Sequence, residues 1–173
     1  MPALRPRAGD LVARARQAGM SVSIDTGWDA RGEWLGVLGP CLPHADLLFV
    51  NEDEARELTG GRDPMEAARA LKELGARTVV VKLGAEGCVV VRDEDIIGSP
   101  GFKAAVVDTT GAGDCFAGGF LAAVQRGLSY IEAARFANAV GALSVQKLGS
   151  TTGLLGYEET MEWAKNHQPL CTG

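Results

Sequence analysis

The chain has 173 residues, of which 46% are hydrophobic and 23% charged. That composition is ordinary for a globular protein and excludes a disordered, collagen-like or coiled-coil chain. Seventeen Lys+Arg against twenty-two Asp+Glu leave a net charge of −5, the wrong sign for a general nucleic-acid binder.

The length fits roughly one domain, and a single domain is expected over residues 1–173. No run of about 18 apolar residues is present, so no membrane-spanning helix is expected. Arg5, Arg7, Arg14 and Arg16 lack an apolar stretch beside them, so the start does not read as a secretory signal. The four cysteines, Cys41, Cys88, Cys115 and Cys171, form no C-x-x-C pair and read as reduced thiols of a cytoplasmic protein.

Residues 8–18 have helical spacing ended by Gly19, and residues 21–25 alternate as a strand ending on Asp25. Residues 26–45 read as a loop with one short helix, in which Trp28 and Trp34 are packing residues. Leu47–Val50 is a continuous apolar run, as in a strand buried on both faces. Asn51 follows, then a helix over 52–59 stopped by Gly60-Gly61. Asp63-Pro64 opens the next helix with an N-cap and a proline at the first helical position. Thr78–Val81 is a β-branched strand, 84–87 a turn and 88–91 the returning strand, giving an antiparallel portion at one edge. Residues 96–97 and 105–107 read as two more short strands. Helices follow over 111–126, over 130–147 behind a Ser129/Glu132 capping box, and over 158–165. Strands alternating with helices argue an α/β fold with a mostly parallel sheet.

The most informative stretch is Asp108-Thr109-Thr110-Gly111-Ala112-Gly113-Asp114. It lies between an expected strand and an apolar helix, and strand ends in open α/β sheets are where ligands bind. The first amides of a helix lack internal partners and its dipole favours an anion. Small residues at 111–113 let a phosphate approach, and Asp114 in the same turn could take a proton from a hydroxyl. The combination suits phosphoryl transfer. The plain alternative is a glycine-rich turn with Asp114 as a helix-terminus carboxylate. A P-loop is excluded and a dinucleotide fingerprint fails for lack of their motifs, while the missing G-x-S-x-G and the scarcity of His argue against a hydrolase triad.

The run Asp-Thr-Thr-Gly-Ala-Gly-Asp-Cys-Phe-Ala-Gly-Gly-Phe over 108–120 resembles the C-terminal signature of the PfkB, or ribokinase-like, carbohydrate kinases. Asn51-Glu52-Asp53-Glu54 resembles the family's Asn-x-x-Glu motif, Lys82–Gly87 its nucleotide-side turn, and Ala137-Asn138-Ala139 its penultimate helix. The resemblance implies ATP-dependent phosphoryl transfer to a hydroxyl of a sugar or sugar acid. It implies Asp114 as the base and Gly111, Ala112 and Gly113 as the anion hole. It places Lys82, Gly84, Gly87 and Asn138 along the nucleotide, and Asn51 and Glu54 around magnesium through waters. Asp108, Thr110 and Gly149 match a monovalent-cation (K⁺) position, and Asp25 a position near the substrate. Alternatives stay open at several of these. Glu54 could be a solvated helix-start carboxylate, Lys82 a snorkelling strand-end lysine, Asn138 an internal hydrogen-bonder and Asp25 a loop cap.

The resemblance covers only the second half of such kinases. The expected fold is therefore a three-layer ribokinase-like sandwich without its N-terminal half and lid, where most sugar contacts would lie. Exposed sheet edges would then favour self-association or a homodimer. Two other functions remain open: a non-catalytic nucleotide-binding module, and a kinase for a nucleoside or other small alcohol.

Overall fold

The computed structural model describes residues 5–170. Its strands are β1 (Ser23–Asp25), β2 (Leu47–Asn51), β3 (Thr78–Lys82), β4 (Gly87–Arg92) and β5 (Asp95–Pro100). Its α-helices are α1 (Ala8–Gln17), α2 (Leu35–Leu38), α3 (Glu52–Thr59), α4 (Pro64–Glu73), α5 (Ala112–Gln125), α6 (Tyr130–Ser144) and α7 (Tyr157–Asn166). The five strands form one sheet in the order β1-β2-β3-β4-β5, so the α/β expectation is borne out. β1 and β2 run parallel, with Ser23 beside Leu47 and Asp25 beside Phe49. β3, β4 and β5 are linked by the short Gly84–Glu86 turn and a two-residue turn at 93–94. Connections that short join antiparallel neighbours, since a parallel pair needs a crossover of a dozen or more residues.

The chain divides into two compact units, residues 1–81 with 89–96, and residues 82–88 with 97–173. In the first, Leu48, Val50, Val79, Val80, Val81 and Val90 are fully buried, as the uninterrupted apolar runs require. Asn51 and Asp63 cap α3 and α4 through their side chains. The loop after β1 is organised by Asp29, which accepts from the Trp34 amide at 2.8 Å and the Arg31 amide at 3.1 Å. Arg5 lies 2.6 Å from the Asp29 carboxylate and, by hydrogen bonding to it, holds its pKa down at about 2. Trp28 and Trp34 meet edge to face with centroids 5.2 Å apart, although Trp28 is 63% exposed.

The second unit is built on the α5–α6 pair. Gly119 lets the helices close: a Cβ there would meet Val140 Cγ2 at 2.9 Å. Ser129 and Glu132 form the expected capping box of α6. One expected element is absent. Residues 105–107 form no strand; the Val107 and Asp108 amides instead donate to the Val145 carbonyl at 2.7 and 3.2 Å, just past the end of α6. The backbone partner of this segment is a helix end, and Val106 and Val107 remain exposed. No helix among the described residues is long and apolar enough to cross a membrane. Cys41, Cys88 and Cys115 are free thiols; Cys171 lies outside the described residues.

Candidate active site

The turn before α5 is built around Gly111 and Asp108. Gly111 is the N-cap residue with φ +74°, and a Cβ on it would meet Ser150 Cβ at 2.7 Å. Both its backbone angle and its neighbour therefore require glycine. The Asp108 carboxylate ties the turn together. Oδ1 accepts from the Thr110 amide and Oδ2 from the Gly149 amide, each at 2.9 Å. These bonds, the Thr110 amide first, hold the Asp108 pKa below the usual carboxylate range. The structure thus brings together Asp108, Thr110 and Gly149, the expected cation position, with Gly149 donating its amide.

Within the first turn of α5, the Ala112 amide is taken by the Thr109 carbonyl at 3.1 Å, and Cys115 already bonds to Gly111 at 2.9 Å. Gly113 and Asp114 lie between them, at positions whose amides have no acceptor one helical turn back. Asp114 is exposed. The Lys82 ammonium lies 3.2 Å from where a Cβ on Gly113 would stand, so the strand-end lysine reaches the same turn.

Beside this turn lies a cleft of about 420 Å³ within the second unit. That is ample for a small-molecule ligand. Lys82, Gly84, Gly87, Ala112, Gly113 and Asn138 all border it, so five of the expected nucleotide and anion-hole positions beyond Gly111 and Asp114 share one cavity with Asn138. Two segments of its wall touch backbone to backbone: a Cβ on Gly101, just after β5, would meet the carbonyl oxygen of Ala85 in the turn before β4 at 2.2 Å. Asn138 clips this wall to α6. Its Nδ2 donates towards Ser99 O at 2.9 Å, Ser99 Oγ at 3.0 Å and Pro100 O at 3.2 Å. Cys88 lies under the same amide, and burial pushes its thiol up to about 12. The helix-internal reading of Asn138 is therefore replaced by a long-range bond to β5, which sequence spacing does not reveal. Asn138→Ala leaves those buried acceptors without donors. It is expected to cost about 1–3 kcal/mol, read as a lowered urea midpoint.

Asn51, Glu54 and Asp25 belong to the first unit. Asn51 Oδ1 accepts from the Glu54 amide at 2.8 Å, and Glu54 Oε2 accepts from the Asn51 amide at 3.1 Å and from Thr26 Oγ1 at 2.6 Å. Glu54 is 3% exposed, so it is not the solvated carboxylate of the alternative reading. The Asn-x-x-Glu pattern is also a capping box, a signal that the sequence held. Asp25 ends β1 and is exposed. Among the described residues no three His, Cys, Asp or Glu side chains converge to cage a metal. A second hollow of about 510 Å³, bordered by Arg5, Asp10, Arg31 and Glu33, lies in the first unit and contains none of the expected site residues.

Residues 3–155 match the family model described as pfkB family carbohydrate kinase. A ribokinase of Haemophilus influenzae is 36% identical over 126 residues, covering 70% of this chain and 41% of that protein. The structure of Arabidopsis thaliana ribokinase complexed with ribose and ATP matches with a TM-score of 0.81 at 31% identity, over 91% of this chain and 51% of that one. Aminoimidazole riboside kinase from Salmonella enterica, complexed with aminoimidazole riboside and an ATP analog, matches with a TM-score of 0.80 at 30% identity, over 90% and 56%. The chain spans about half the length of the relatives it matches.

Proposed function

The chain belongs to the pfkB family of carbohydrate kinases, and from that premise we propose that it binds ATP and transfers its terminal phosphoryl group to a hydroxyl of a sugar or sugar acid. The observation that carries this reading is the first turn of α5. There, Gly113 and the Lys82 side chain border one cleft, and Asp114 follows Gly113 in the same turn.

Asp114 accepts the proton of the acceptor hydroxyl as its oxygen bonds to the γ-phosphorus and the bond to ADP breaks. The Gly113 and Asp114 amides stabilise the charge on the transferring group, with Gly111 and Ala112 shaping the turn. Lys82, Gly84 and Gly87 border the nucleotide, and Asn138 holds the wall beside it. Asn51 and Glu54 are the residues that would organise magnesium. The capping box fits an indirect role, because both bonds to Glu54 fall on one oxygen and magnesium keeps several waters. When bound, magnesium neutralises phosphate charge. Asp108, Thr110 and Gly149 form the proposed monovalent-cation position, and Asp25 belongs to the substrate side.

A second reading, nucleotide binding without turnover, is favoured by the cleft lining, which includes Lys82, Gly84 and Gly87 but not Asp114. One assay separates the two. The protein with ATP and magnesium is expected to release ADP when a sugar from a panel of pentoses, hexoses and keto-sugar acids is added. ATP binding with no sugar-dependent release supports the second reading, and absence of ATP binding refutes both.

A further inference from the structure

The segment after α7 returns to the cleft. Pro169 forms an antiparallel bridge with Phe102, and the Leu170 amide donates to the Gly101 carbonyl at 2.7 Å. Gly101 and Phe102 border the cleft, and so does Leu170 itself. The segment lies beyond residue 155, where the family match ends, and nothing in the sequence spacing singled it out.

Its position is fixed through Phe102. That ring is buried in a cluster with Ala139, Ala142 and Ala164 and meets Trp163 edge to face at 5.3 Å. The Arg135 guanidinium lies over it at 5.8 Å and also donates to the Ala164 carbonyl at 2.8 Å. Phe102 therefore anchors α7 through its side chain and residues 169–170 through its backbone.

Leu170 is 36% exposed and Val106, on the same cleft, 64% exposed. Apolar side chains left accessible at a cleft, on backbone already held in place, provide a preorganised surface for a flat apolar group. We propose that Leu170, positioned by the Phe102–Pro169 bridge, is a contact residue for the base of the bound nucleotide. This rests on the reading of the cleft as an ATP site. The phosphates, by contrast, belong to the first turn of α5, so the two ends of the nucleotide can be tested apart.

The test is calorimetric titration of the protein, Leu170→Asn and Leu170→Met with ATP and, separately, with inorganic tripolyphosphate, all with magnesium. Leu170→Asn is expected to weaken ATP binding about tenfold, equivalent to about 1.4 kcal/mol, while tripolyphosphate affinity is unchanged and Leu170→Met binds ATP as the parent does. The partly exposed side chain makes a folding defect an inadequate explanation of a base-selective loss. Equal ATP affinity in Leu170→Asn, or equal losses for ATP and tripolyphosphate, overturns the Leu170 assignment alone. A parent protein that binds no ATP overturns the ATP-site reading and this inference with it.

Discussion

Asp114→Asn is expected to lower phosphoryl transfer about 10²–10⁴-fold, the usual contribution of a positioned general base, with ATP affinity nearly unchanged. The substitution keeps the side chain's size and its ability to hydrogen-bond at the helix start. It removes the negative charge and the capacity to take a proton. Asp114 is exposed in the first turn of α5, where no packing depends on it, so the fold is expected to survive. The check is a pair of measurements on the same variant, turnover by ADP release and ATP affinity by calorimetry. Loss of turnover alone marks a group that acts in the transition state. Parallel loss of both makes Asp114 part of the turn's scaffold, the plain alternative left by the sequence.

The largest expected stability effect is at Gly87. Its φ is +103°, and a Cβ there would stand 2.1 Å from the Ser99 carbonyl oxygen and 2.5 Å from the Gly101 amide nitrogen. Both obstacles are backbone, so no side chain can swing away. Strain at a positive φ costs about 1–3 kcal/mol, and overpacking a tight site costs about 1–3 kcal/mol more. Gly87→Ala is therefore expected to lose about 4 kcal/mol, a large part of a typical domain's stability of about 5–15 kcal/mol. Gly84 is the internal control. Its φ is +57°, and nothing lies within 4 Å of a Cβ placed on it. Gly84→Ala carries only the backbone strain and is expected to lose about 1 kcal/mol. Urea unfolding of the two variants checks the difference, and equal losses would show that the wall between β4 and β5 can yield.

These two glycines also show why part of the site was legible and part was not. Local signals survive in sequence: Gly60 stops α3, Asp63-Pro64 starts α4, and Ser129 with Glu132 starts α6. The turn at 111–114 was legible for the same reason, since its chemistry lies in neighbouring residues. Distant partners are not written in spacing. Gly84 and Gly87 read alike in sequence, yet only Gly87 faces another strand's backbone. Asn138 was linked to the nucleotide by resemblance, whereas its amide is spent on Ser99 and Pro100, some forty residues earlier. The run at 105–107 has strand composition, but its acceptor is the Val145 carbonyl. Leu170 reaches the cleft only through a bridge to Phe102. Asn51-x-x-Glu54 is the opposite case, in which one local pattern serves two readings, a cap and a metal-organising pair.

In the proposed reaction the first turn of α5 receives the terminal phosphates of ATP. The most direct test is an amide-resolved NMR titration of the ¹⁵N-labelled protein with ATP and magnesium. The largest shifts are expected at Gly113 and Asp114, accompanied by Gly84 to Gly87. Saturable ATP binding that leaves the Gly113 and Asp114 amides unmoved, and shifts instead those of Arg5, Gly9 and Arg31 around the other hollow, would contradict it.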